Sequence, residues 1–230
     1  REGMGKVDVI VTNHDMVLAD LALGGGAVLP DPRDTMYVFD EGHHLPDKAI
    51  GHFAHYSRLR STADWLEQTA KNLTKLLAQH PLPGDLGKLI EQVPELAREI
   101  RTQQQFMFTL CEQVADFRPS EDTEGRERPR YRFEGGVIPE QIREVGIELK
   151  KGFARLNDLF TRLADLLKEG MDGEVNIGIA SNQAEEWYPL FGSLLSRSQG
   201  NWELWTAFTV EDPEDNPPMA RWLTLAESGS

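Results

Sequence analysis

The sequence predicts a mainly α fold: a bundle of long helices, with a small α/β piece before it and a short strand pair after it. Three observations lead there. Ile142, Val145, Leu149, Phe153, Leu156, Phe160, Leu163 and Leu167 follow one another at spacings of three or four, the period of one helix face. Val7 to Asn13 and Met36 to Phe39 are apolar runs without alternation, the pattern of strands covered on both faces in a parallel sheet. Trp202 to Val210 and Ala220 to Leu225 are rich in aromatic and β-branched residues and flank a turn-rich Asp/Pro segment, which reads as two paired strands.

Between the first two apolar runs a short helix is predicted from about His14 to Leu23, ended by Gly24-Gly25-Gly26, with Asn13 able to cap it. From about Ser61 the helical period takes over. Ala63, Leu66, Ala70, Leu73 and Leu77 share a face, and His80-Pro81-Leu82-Pro83-Gly84 stops that helix. Leu89, Val93, Leu96, Ile100, Met107, Leu110 and Val114 mark a second helix from about Leu86 to Phe117, which Pro94 is expected to kink or divide. The third begins near Pro139 and carries the long stripe over about seven turns. Such a stripe must be covered, and a helix-bundle core is the expected cover. A fourth helix is predicted across Ala184 to Leu195, and the Arg/Glu/Gly/Pro-rich stretch from Pro119 to Gly136 reads as a solvated loop.

Composition narrows the class. Forty per cent hydrophobic and 27% charged residues are ordinary for a globular chain, and no run of 18 apolar residues or signal-like start occurs, so a cytoplasmic protein without membrane contact is expected. A net charge of −14 opposes strong nucleic-acid binding by this chain alone, because phosphate neutralisation needs a basic surface. The single Cys111 can form no internal disulfide and hold no cluster, and is expected as a small buried residue of a helix.

Chemistry concentrates in Met36 to Asp47, MYVFDEGHHLPD. A strand of a parallel sheet presents the residue at its carboxyl end to the ligand crevice, which would set Asp40 against a nucleotide. There Asp40 can hold the Mg²⁺ of Mg-ATP, while Glu41 polarises the water that attacks the γ-phosphate. The two tasks need separate carboxylates, one ionised on the metal and one free to orient a nucleophile. His43 falls within reach of both.

The stretch Val7 to Asp47, with Asn13-His14 and then Asp40-Glu41-Gly42-His43-His44-Leu45-Pro46-Asp47, resembles the DinG-type helicases up to and through their DEAH-box, motif II. That family belongs to the XPD-like superfamily 2: ATP-dependent 5′-to-3′ DNA helicases, linked to DNA repair, with an iron–sulfur domain and a helical arch inserted in the first RecA-like motor domain. The resemblance implies an internal piece of such an enzyme. Residues 1–50 would be a partial motor segment, 51–200 the arch, and 201–230 a strand pair returning towards the motor. Asp40 and Glu41 would take the Mg²⁺ and water-activating positions, and His43 the coupling position. Single-stranded DNA would be the partner, together with a protein docking on the arch. Arg126, Arg128, Arg130, Tyr131 and Arg132, with Phe133, have the residue types for phosphate contact and base stacking. A solvated linker whose arginines pair with neighbouring glutamates is the plainer reading of the same stretch.

The sequence also departs from a complete motor. It holds no Gly-x-x-x-x-Gly-Lys-Ser/Thr, and Gly24-Gly25-Gly26 is followed by Ala27-Val28-Leu29, so that triplet reads as a turn. The family's four clustered cysteines are missing as well. The chain by itself is therefore expected to be catalytically silent, although its parent would be an enzyme. Two other readings are weighed. One is a non-enzymatic helical interaction module. The other is a metal-dependent hydrolase built on His14, Asp40, Glu41, His43 and His44, against which the adjacent histidines are expected to diverge.

Overall fold

Amphipathic helices of 21 to 33 residues organise the chain, because each buries a stripe only against another helix. The computed structural model describes residues 7–80, 82, 84–115, 130–173, 175–213 and 218–225. It divides into two compact units, Arg1–His55 and Tyr56–Ser230.

The second unit is built on α3 (Leu59–Gln79), α4 (Asp85–Val114), α5 (Glu140–Asp172) and α6 (Ser181–Thr209). Successive helices run antiparallel, as their contacts show. Arg60 lies over the Phe108 ring and Arg101 pairs with Glu67 across α3 and α4. Arg155 pairs with Glu99 across α4 and α5, and Arg143 donates to the Thr209 carbonyl across α5 and α6. Arg197 over Trp65, and His80 edge-on to Trp187, bring α6 back to α3. The result is an up-down-up-down bundle. All eight residues of the predicted α5 stripe are buried, and Ile142, Leu149, Phe153, Leu156, Phe160, Leu163 and Leu167 are 0% exposed.

Two glycines of α5 let its neighbours approach. A Cβ on Gly146 would stand 2.6 Å from Thr209 Cγ2 of α6, and one on Gly152 would stand 2.8 Å from Ile100 Cγ1 of α4. Pro94 does not divide α4, which is one helix from Asp85 to Val114. Cys111 is buried as expected, and burial pushes its thiol up to about 11.

Three features of the second unit differ from the sequence expectation. Trp202 to Val210 is not a strand. Residues 202–209 complete α6, because Ser198, Asn201, Trp205, Phe208 and Thr209 fall on one buried helical face, and that packing outweighs β propensity. Residues 130–132 of the expected loop form β1 (Arg130–Arg132), which pairs antiparallel with β2 (Trp222–Thr224), Tyr131 opposite Leu223. Ala220 to Leu225 thus contains a strand, but its partner lies some ninety residues earlier rather than in the adjacent segment. Phe133, just past β1, is buried against Phe208 in the bundle core and cannot stack on a base, while Tyr131 packs edge-on to Phe133 at 5.3 Å.

Arg221 ties this end of the unit together. Although a charged residue, it is only 3% exposed. Its guanidinium donates to the carbonyls of Phe208 (2.7 Å), Val210 (2.7 Å) and Gly136 (2.9 Å) and to the Asp212 carboxylate (2.6 Å). The last carbonyls of α6, which have no partner within the helix, are thereby satisfied by Arg221 and Arg143.

Candidate functional site

The first unit consists of α1 (His14–Ala22), α2 (Leu45–Phe53) and the segments around them. Asn13 caps α1, its side-chain oxygen accepting from the Met16 N–H at 2.8 Å, so the capping role holds. Lys48 and His52 of α2 reach the Asp15 carboxylate of α1 at 2.5 and 3.3 Å. Those hydrogen bonds, Lys48 first, hold the Asp15 carboxyl below its usual range.

The two predicted parallel strands do not form. Val7 to Asn13 and Met36 to Phe39 pair with no strand among the described residues. A strand closes its hydrogen-bond ladder only against a neighbour, and none lies beside them. Their side chains show it. Val9, Val11, Met36 and Val38 are largely exposed, whereas Tyr37 and Phe39 on the alternate face stack on each other at 6.1 Å and Phe39 meets the His14 ring at 5.6 Å.

After Phe39 the chain turns sharply. Glu41 adopts a left-handed backbone (φ 50°, ψ 41°), uncommon for a residue with a Cβ, and a 3-10 turn over Gly42–His44 then leads into α2. Asp40 Oδ1 accepts from the Glu41 N–H at 2.9 Å, and the His44 N–H donates to the Glu41 carbonyl at 3.0 Å. His43 Nδ1 lies 3.2 Å from Glu41 Oε2. The His43 and His44 rings, expected to diverge, instead lie with centroids 3.9 Å apart, because the 3-10 turn carries both to one side. Asp40, Glu41, His43 and His44 are all exposed. His14 stands apart from them against Phe39, so the five-residue metal group weighed from sequence is not assembled as such.

The Gly24-Gly25-Gly26 loop has a feature that spacing did not reveal. Asp20, 1% exposed, accepts from the N–H groups of Gly26 (2.9 Å), Val28 (2.5 Å) and Leu29 (3.2 Å). These bonds, Val28's foremost, keep its carboxyl below the usual range. Backbone amides of the kind that cradle a phosphate are occupied by the chain's own carboxylate, in agreement with a turn rather than a phosphate loop.

Of the predicted arginine cluster, Arg126 and Arg128 lie outside the described residues. Arg130 and Arg132 are exposed on β1, and Tyr131 is half-buried between them.

No family model matches the chain. It is, however, 28% identical over 227 residues to an ATP-dependent DNA helicase DinG of Photobacterium profundum, covering 97% of this chain and 30% of that protein. With the protein of the same name from Escherichia coli K12 it shares 28% identity over 234 aligned positions, 99% of this chain and 30% of the relative. Along nearly its whole length the chain is thus similar to these DinG proteins. The DinG of Salmonella typhimurium strain LT2 matches over a shorter stretch, 28% identical over 162 positions and 66% of this chain. The chain thus spans 30% of the Photobacterium profundum and Escherichia coli K12 proteins and 20% of the Salmonella typhimurium one. No helix among the described residues is long and apolar enough to cross a membrane.

Proposed function

We propose that the chain supplies motif II and the helical arch of an ATP-dependent 5′-to-3′ DNA helicase, residues 1–50 belonging to the RecA-like motor and 51–200 to the arch. The observation that carries this reading is similarity to DinG helicases over 97 to 99% of the chain, which takes in the Asp40-Glu41-Gly42-His43 turn. The exposed apolar side chains of Val9, Val11, Met36 and Val38 accord with strands made to lie in a larger parallel sheet.

Asp40 and Glu41 offer the hard oxygen donors that Mg²⁺ prefers. Bound with ATP, Mg²⁺ would neutralise charge on the β- and γ-phosphates. Asp40 is the residue to hold it, its carboxylate oriented by the Glu41 amide. Glu41 positions the attacking water. His43, whose Nδ1 lies 3.2 Å from Glu41 Oε2, links that carboxylate to the rest of the motor. A left-handed residue at this point is strain of the kind that persists at functional sites. Cys111, buried with a raised thiol pKa, does not fit an iron–sulfur ligand, so any cluster of the parent is held by other residues.

Arg130 and Arg132, with Tyr131 half-buried between them, are the described candidates for contact with single-stranded DNA along the arch. The net charge of −14 supports the second reading, a helical module that docks another protein, and single-stranded DNA should bind this chain only weakly and in low salt. Direct tests of the first reading use Glu41→Gln. In the full helicase it should preserve nucleotide binding and slow hydrolysis by about 10²- to 10⁴-fold, the usual contribution of a positioned acid–base group. The chain alone should show no ATPase activity with or without DNA. DNA-stimulated turnover that Glu41→Gln abolishes in the chain alone would contradict the expected silence, and unimpaired hydrolysis in the full helicase would refute the role of Glu41.

A further inference from the structure

We infer that Glu41, His43 and His44 form a binding site for one divalent transition-metal ion of the zinc class. One donor atom from each residue lies within 4.8 Å of the others. Glu41 Oε2 and His43 Nδ1 are already 3.2 Å apart, close to the separation of about 3.3 Å between two ligands on tetrahedral zinc with bonds near 2.0 to 2.1 Å. The 3-10 turn that sets the His43 and His44 rings 3.9 Å apart supplies the third donor. Two imidazole nitrogens and a carboxylate oxygen, with a fourth position left to water, suit Zn²⁺, Ni²⁺ or Cu²⁺ far better than Mg²⁺, which demands oxygen donors. All three side chains are exposed, so an ion reaches them without any opening of the fold, and their rotation can close the remaining ångström or so.

The site shares Glu41 and His43 with the proposed motor machinery but not Asp40. Its consequence, that a bound zinc-class ion withdraws Glu41 from water activation, rests on that proposed function. The binding itself does not, and is measured on the nucleotide-free chain, so its failure would leave the reading of Glu41 untouched.

Calorimetric titration of the chain with Zn²⁺ should show saturable one-to-one binding that excess Mg²⁺ does not displace. His44→Ala and His43→Ala should each weaken it by at least about tenfold, the lower end of the loss when even an outer partner is removed from a metal centre. His52→Ala, which removes an imidazole engaged with Asp15, should leave it unchanged. These histidines are exposed in the first unit, and circular dichroism checks that each variant stays folded. No saturable Zn²⁺ binding, undiminished binding in folded His44→Ala, or displacement by Mg²⁺ would overturn the site.

Discussion

Phe153→Ala or Phe160→Ala is expected to cost about 3 to 5 kcal/mol of stability, because each removes a fully buried ring from the middle of α5 and leaves a cavity that helices on several sides cannot fill. Domains of ordinary size hold only about 5 to 15 kcal/mol in reserve. Thermal unfolding should therefore fall by at least about 6 °C or lose its cooperativity. Lys168→Ala, on the exposed face of the same helix, serves as the control and should melt like the parent chain. A docking stripe would behave differently, since its loss would spare folding and abolish partner binding. Unchanged melting of the two phenylalanine variants would refute a core role for α5.

Arg221→Ala should be nearly as damaging, at about 3 kcal/mol, although it removes a surface type of residue near the end of the chain. The substitution leaves the carbonyls of Phe208, Val210 and Gly136 without their donor and the Asp212 carboxylate without its cation. Arg221→Lys should rescue only part of the loss, because one ammonium cannot serve acceptors spread over α6, the segment before α5 and Asp212 together. Hydrogen exchange at Phe133, whose N–H donates to the Arg221 carbonyl, reports whether the β1–β2 pairing loosens with it. An acid titration adds an independent test. The Arg221 hydrogen bond, followed by that of the Met219 N–H, holds the Asp212 carboxyl below its usual range. A lowered native pKa means that this contribution is fully present above about pH 4 and is lost as pH falls through the native value. The parent chain should thus lose stability below pH 4 more steeply than Asp212→Asn, and equal acid sensitivity would argue against the pair.

How far the residues alone revealed this protein depended on whether the deciding interaction was local. The α5 stripe, the shared faces of α3 and α4, burial of Cys111 and the Asn13 cap were all legible, because helical periodicity and capping act within a few residues. So was the Asp40-Glu41-Gly42-His43-His44 string that carries the DinG resemblance. The neighbourhood of that string was legible only in part. Adjacent histidines diverge on an ordinary helix or strand, and a left-handed Glu41 followed by a 3-10 turn was needed to bring them together.

The remaining features were set by distant partners. Trp202 to Val210 has the composition of a strand, yet Trp205 and Phe208 find their burial on a helix against α5 and the β1 region. Residues 130–132 have the composition of a loop, yet pair with β2. Val7 to Asn13 and Met36 to Phe39 have the composition of buried strands and pair with no strand among the described residues. Asp20 and Arg221 are charged and buried because backbone groups six to 85 residues away converge on them, which no window of sequence displays. Which face of an element is apolar is written in the local period. Which neighbour covers that face, and which backbone groups a buried charge must satisfy, is decided when the tertiary fold brings distant residues together.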